Sequence, residues 1–146
     1  MEDFRVDLIV GTGAGGLVGA LRAAERGLRV LVLEKADVCG GTTAMSGAGL
    51  WAPANLHVLN AGQPDSLELA RTYMSHTVAD RTPLPMQEAF LQAASPTIAW
   101  LESKSVRFSY MTGYPDYHPS EHGGLLTGRA ITPKSTTPSF HPNHHP

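Results

Sequence analysis

The chain predicts an α/β fold organised around a parallel strand–helix–strand unit, and three observations predict it. An apolar run, Val6-Asp7-Leu8-Ile9-Val10, leads into the glycine turn Gly11-Thr12-Gly13-Ala14-Gly15-Gly16. A helical stretch from Ala14 to Arg26 follows and stops at Gly27, a residue suited to the left-handed backbone that ends helices. A second apolar run, Arg29-Val30-Leu31-Val32-Leu33, then closes on the acid Glu34. Strand, turn, helix, stop, strand and acid, in this order within about 30 residues, are the context in which a glycine turn reads as a dinucleotide site of Rossmann type rather than a bare turn.

Each part has a physical task in such a site. Gly11 makes the tight turn, Gly13 lacks a Cβ and lets a diphosphate come against the backbone, and Gly16 lets the helix lie close on the strand. The first helical turn, at Ala14 and Gly15, aims free N–H groups at phosphate, where the helix dipole also favours negative charge. A carboxylate at Glu34 accepts hydrogen bonds from ribose hydroxyls and repels a 2′-phosphate, so the expected ligand is of FAD or NAD type and NADP is disfavoured.

From Lys35 to Pro53 no apolar period dominates, and small residues and hydroxyls crowd together. Gly40, Gly41, Thr42, Thr43, Ser46 and Gly47 suit a loop that approaches a flat ligand, because glycine bares backbone N–H groups and Thr and Ser donate hydrogen bonds. The alternative is a plain surface loop. Cys39 reads as a small residue of this loop rather than a reactive thiol.

Asp65 with Glu68 resembles a capping box ahead of Leu67, Leu69, Ala70, Tyr73 and Met74 at helical spacing. Met86 to Ala94, entered through Pro85, predicts a second helix, and Ser95-Pro96 the cap and first turn of a third that carries Ile98, Trp100 and Leu101 into a core. Val106 to Tyr110 alternates as a half-buried strand, and Gly113 to Pro119 reads as a constrained loop. From Thr132 the chain has one large apolar residue and repeated proline, so 134–146 is expected to be a disordered tail behind a domain at 1–133. His141, His144 and His145 have no Cys, Asp or Glu beside them in that tail, so no metal site is expected there.

With 146 residues, a formal charge of -2 and a pI near 6.4, the chain suits one modest domain with no nucleic acid or anionic membrane as partner. No apolar run spans a bilayer, Met1 to Arg5 lacks the form of a signal peptide, and a single cysteine forms no internal disulfide. A cytoplasmic location is the expectation. Oligomeric state is not readable.

The succession of the phosphate turn, Glu34-Lys35, Gly40-Gly41-Thr42-Thr43, Ser46-Gly47-Ala48-Gly49 and Leu50-Trp51-Ala52-Pro53 resembles the FAD-binding half of the fumarate reductase and succinate dehydrogenase flavoprotein superfamily. Pro64-Asp65-Ser66, Tyr114-Pro115-Asp116-Tyr117 and Gly128-Arg129-Ala130-Ile131 look like the N-terminal segment of its 3-ketosteroid Δ1-dehydrogenase branch, over roughly residues 5 to 133. The resemblance implies an FAD cofactor and a steroid-like substrate. It implies hydride transfer from ring carbon C1 to the flavin and proton transfer from C2 to a tyrosine.

Of that branch's catalytic tyrosines the resemblance places one here, Tyr117, which otherwise reads as packing in a proline-stiffened loop. Its partner groups lie, in the family, beyond this chain. Thr42-Thr43-Ala44 stands where the succinate dehydrogenase branch has a flavin-linking histidine, and no histidine precedes His57, so FAD is expected to be non-covalent. Family members are several times longer. The resemblance therefore implies an incomplete domain, a truncated or frame-shifted product inactive alone, with a non-catalytic FAD- or NAD-binding module, a fragment of a fumarate reductase-like flavoprotein and a chain that recruits another polypeptide as the alternatives.

Overall fold

The computed structural model describes residues 5–134, in two compact units that divide between Ala48 and Gly49. In the first unit β1 (Leu8–Val10), α1 (Ala14–Glu25) and β2 (Val30–Val32) form the expected parallel unit, with Leu8 opposite Val30 and Val10 opposite Val32. Asp7 joins the two strand entrances: its carboxylate accepts the Arg29 backbone N–H at 2.9 Å and the guanidinium Nε and Nη2 at 3.1 Å each. The helix ends where the sequence indicates, with Gly27 at φ 79°. One element differs from expectation. The stretch read as loop contains a short helix, α2 (Gly41–Met45), which buries none of its residues and so leaves no apolar period to find.

The second unit is built on an antiparallel sheet of β3 (Leu50–Trp51), β4 (Phe108–Tyr110) and β5 (Ala130–Pro133), in the order β3-β5-β4. Leu50 faces Ile131 across one seam, and Tyr110 faces Ile131 across the other. Three helices accompany it: α3 (Leu56–Asn60), α4 (Leu67–Thr77) and α5 (Leu84–Ser103). Val58, Ala70, Leu91, Phe108 and Ile131 are buried and mark the core. Neither α3 nor β5 was expected from the pattern, and β3 falls in the stretch read as loop. The first is a single turn that Asn55 starts by accepting the His57 and Val58 N–H groups, and the second is a central strand that offers little alternation.

Two expected boundaries are corrected. The cap of α4 is Ser66, whose Oγ accepts the Leu69 N–H at 3.0 Å; Asp65 is instead buried and takes other partners. Residues 84–103 form one helix rather than two, with Pro96 inside it. Proline removes one N–H and costs about 3 kcal/mol in a helix interior. Here Leu91 precedes it and Ile98 and Leu101 follow it in the core, and burying each such side chain contributes about 1.5–3 kcal/mol, enough to carry the helix through. Ser95 does not cap; its hydroxyl donates to the Ala54 carbonyl at 3.2 Å. The expected tail and its histidines, His141, His144 and His145, lie outside the described residues, apart from Lys134.

Candidate functional site

The glycine turn of the first unit is shaped by close approach. A Cβ on Gly16 would meet the Gly11 carbonyl oxygen at 2.1 Å, so this position admits no side chain. Gly13 is different. It precedes α1 with extended backbone and no side-chain cap, and a Cβ there would meet nothing nearer than the Thr43 hydroxyl at 3.9 Å, while one on Gly15 would meet nothing within 4 Å. Gly13 and Gly15 therefore leave open space beside the first turn of α1. The Ala14 N–H donates to Thr43 Oγ1 at 3.1 Å, which joins the turn to the start of α2.

Glu34 sits at the exit of β2 and is tied to the same turn. The buried Thr12 hydroxyl donates to Glu34 Oε2 and accepts the Gly40 N–H at 2.9 Å; Glu34 Oε1 accepts the Ala36 N–H at 2.9 Å. Chiefly that Ala36 amide holds the carboxyl below its usual range, so it carries its charge at neutral pH. Thr12 was not singled out from sequence, since a threonine inside a glycine turn gives no signal of a partner 22 residues away. Gly41 lies against the backbone of Gly13, and Ser46 Oγ donates to the Thr43 carbonyl at 2.8 Å and accepts the Ala48 N–H at 3.1 Å. Lys35, Thr42 and Gly47 are exposed on this unit.

In the second unit Tyr117 is 87% exposed and stands at the rim of a cavity of about 370 Å³ lined by Trp51, Tyr73, Met74, Arg81, Phe90 and His118. The Trp51 ring stacks on Phe90 at 5.9 Å and tilts against Tyr73 at 5.8 Å, giving the cavity an aromatic wall. Beneath it Arg129 is wholly buried. Its Nε donates to Asp65 Oδ1 at 2.8 Å, its Nη1 to Asp116 Oδ2 and its Nη2 to the Gly123 carbonyl at 2.7 Å, with the guanidinium carbon 5.5 Å from both the Trp51 and Tyr73 rings. Asp65 also accepts the Ala54 N–H at 2.6 Å, which helps hold that residue at φ 54°. Among the described residues no buried side-chain nitrogen or oxygen lacks a partner. Sequence reasoning missed this network; Asp65, Asp116, Arg129 and Trp51 all stood in the quoted motifs, but nothing there linked them to one another.

A parallel strand–helix–strand unit with an uncapped glycine turn and a charged acid at the next strand defines the nucleotide half of a dinucleotide-binding α/β protein. The chain belongs to the FAD binding domain family, whose sequence model matches residues 7–145, and FAD is its cofactor. It is 41% identical over 133 residues to a 3-oxosteroid 1-dehydrogenase of Rhodococcus opacus, covering 90% of this chain and 26% of that protein. It is 38% identical over 130 residues to a 4-oxocyclohex-2-ene-1-carboxylate 5-dehydrogenase of Sinomonas cyclohexanicum, covering 88% of this chain and 22% of that one. The crystal structure of 3-ketosteroid delta1-dehydrogenase from Sterolibacterium denitrificans with 1,4-androstadiene-3,17-dione superposes with a TM-score of 0.80 at 32% identity, over 87% of this chain and 22% of that chain. The resemblance drawn from the motifs therefore holds, and the chain spans about a quarter of the length of these relatives. Among the described residues no helix is long and apolar enough to cross a membrane.

Proposed function

We propose that this chain forms the nucleotide-binding part, and one wall of the substrate site, of an FAD-dependent enzyme that desaturates a ring beside a ketone, with a 3-ketosteroid as substrate. The observation that carries it is the space left open over Gly13 and Gly15 at the first turn of α1, where the N-cap position has no side chain. In this reading the turn Gly11 to Gly16 holds the diphosphate, Gly16 by bringing the helix close and Gly13 and Gly15 by presenting backbone N–H groups, while Ala14, its own N–H held by Thr43, lines the same turn. Glu34, charged and held by Thr12 and Ala36, accepts the ribose hydroxyls. Lys35 follows it, and Gly40, Gly41, Thr42, Thr43, Ser46 and Gly47 meet the rest of the cofactor. No histidine stands in that loop, so the FAD is held without a covalent bond.

When bound, FAD supplies the acceptor for the hydride that leaves one ring carbon. Tyr117 takes the proton from the neighbouring carbon at its phenolic oxygen, and the aromatic wall of Trp51, Tyr73 and Phe90 provides a flat apolar face for a fused ring system. A free phenol is a weak base, so this role calls for neighbouring groups that favour its anion. The similarity to the Sinomonas protein supports a second reading, in which the substrate is a single cyclohexenone carboxylate ring.

The test uses purified chain. Wild type should bind FAD, seen as flavin absorbance retained through gel filtration, and Gly13→Val should lose it while keeping its circular dichroism, because the new side chain has room in the protein but fills the diphosphate space. Flavin retained by folded Gly13→Val sinks the site assignment. Substrate choice is read from Trp51 fluorescence in a Trp100→Phe background. Quenching by 4-androstene-3,17-dione supports the steroid, quenching by 4-oxocyclohex-2-ene-1-carboxylate alone supports the second reading, and quenching by neither removes the cavity from the substrate site.

A further inference from the structure

We propose that Arg129, acting through Asp116, is the positioning residue that sets the place of Tyr117. This rests on the reading of Tyr117 as the proton acceptor. A proton transfer needs its oxygen placed within hydrogen-bond reach of the carbon's proton, and small displacements are costly in rate. Yet Tyr117 is 87% exposed and has almost no packing of its own to place it. Its position has to come from its neighbours in the chain, and both of them are held.

On one side stands Asp116, buried to 3% exposure. Its Oδ1 accepts the Trp51 indole N–H at 2.8 Å, and its Oδ2 accepts the Leu125 N–H at 3.0 Å and the Arg129 guanidinium. On the other side the His118 N–H donates to the Tyr73 hydroxyl at 3.1 Å, and the Tyr73 ring lies 5.5 Å from the Arg129 guanidinium carbon. One buried cation thus touches the groups that hold the residues before and after Tyr117. The backbone is shaped to allow it. A Cβ on Gly128 would lie 1.8 Å from the Tyr114 carbonyl oxygen, and one on Gly124 would lie 2.7 Å from the His118 carbonyl oxygen. Gly128 therefore lets the start of β5 pass against the Tyr114-Pro115 backbone, which is the approach that delivers Arg129 to Asp116.

Stability alone is a poor account of this arrangement. Burying a cation between two carboxylates carries a desolvation penalty that well-packed apolar side chains avoid, so such networks contribute geometry more dependably than stability. The planar guanidinium forks to Asp65 and Asp116 in fixed directions, which a lysine cannot reproduce.

The test labels the FAD-loaded chain with 3-fluorotyrosine, whose four fluorine lines are assigned by single Tyr→Phe changes, and measures backbone amide order parameters. In wild type the Tyr117 and His118 amides should be as ordered as β5, with values of about 0.85. Asp116→Asn is nearly isosteric but sets an NH2 against either the Trp51 donor or the Leu125 and Arg129 donors, and Arg129→Lys keeps the charge without the fork. Either should lower the Tyr117 and His118 values below about 0.6 and move the Tyr117 fluorine line toward free 3-fluorotyrosine, with the Tyr110 line unmoved. A Tyr117 line unchanged in a folded variant overturns the proposal, and so does an equal movement of the Tyr110 line, which would mark general loosening. Should neither variant fold, the wild-type values decide: a Tyr117 amide below about 0.6 overturns it and one matching β5 supports it. The proton-acceptor reading is tested apart from this, by adding 4-androstene-3,17-dione to wild type. A Tyr117 fluorine line that ignores the steroid defeats that reading and leaves the positioning result standing.

Discussion

At the scale of single residues, Gly13 and Gly16 of the nucleotide turn separate into different kinds of constraint. Gly16 is required by the protein itself, whereas Gly13 has room around it and is constrained, in the proposed function, by the cofactor. Their types and spacing made the turn legible in sequence, as did Glu34, because a backbone approach or a lone acid needs one residue kind at one place. Arg129 was not legible. A lone arginine behind a glycine reads as surface, and its carboxylates stand 64 and 13 residues away in the chain. Asp65 shows the converse error, since a short acid ahead of a helical stretch has an obvious local use and the neighbouring Ser66 fills it. Replacing Arg129 by Met leaves Asp65 and Asp116 buried without a counter-charge. Urea unfolding should show a loss of about 3–5 kcal/mol. A loss below about 1 kcal/mol would mean that water reaches the pair.

At the scale of elements, helices with one strong apolar face were found and short ones were not. Propensity and local signals alone divided α5 at Ser95-Pro96, and only tertiary burial of Leu91, Ile98 and Leu101 joins the halves. Pro96 is exposed within that helix, so Pro96→Ala restores an N–H to the ladder at no cost in packing. Chemical denaturation should show a gain in stability, with about 3 kcal/mol as the upper bound. No gain would mean that the helix is already kinked to suit the ring. Between α4 and α5, Arg71 reaches Glu88 by two bonds of 3.0 and 2.9 Å, and Gln92 adds a third at 2.7 Å. The Arg71 guanidinium first, then Gln92, holds the Glu88 carboxyl down to about 2 from an ordinary 4.5. A carboxyl whose folded pKa is lowered stabilises the protein above its unfolded pKa and loses that contribution as the pH falls through the folded one. The difference in Tm between wild type and Glu88→Gln should therefore be constant above pH 4.5 and shrink toward pH 2. The effect is small because the pair is exposed.

At the scale of the molecule, the first unit leaves apolar surface uncovered. Parallel strands are ordinarily buried on both faces, yet Ile9 is 60% exposed and its partner Leu31 36%, with Leu33 at 53%. An incomplete sheet was foreseeable from the order of motifs, because a strand–helix–strand unit accounts for only two strands of a larger layer. Such a patch favours association and dye binding. The chain should bind anilinonaphthalene sulfonate and sediment faster as its concentration rises, and Ile9→Thr with Leu31→Thr should reduce both. A wild type that stays monomeric and dark at all concentrations would show the patch to be covered in solution.

The middle strand of the second sheet is the last of the three to be synthesised. Until β5 emerges from the ribosome, β3 and β4 have nothing between them, and Asp65 waits for its counter-ion across 64 residues, roughly 3 to 13 s of translation. Over that interval the nascent chain has to keep Asp65, joined near its end by Asp116, in water and the Trp51 and Tyr73 rings without the cation that later lies 5.5 Å from each. Completion of this sheet consequently waits for β5.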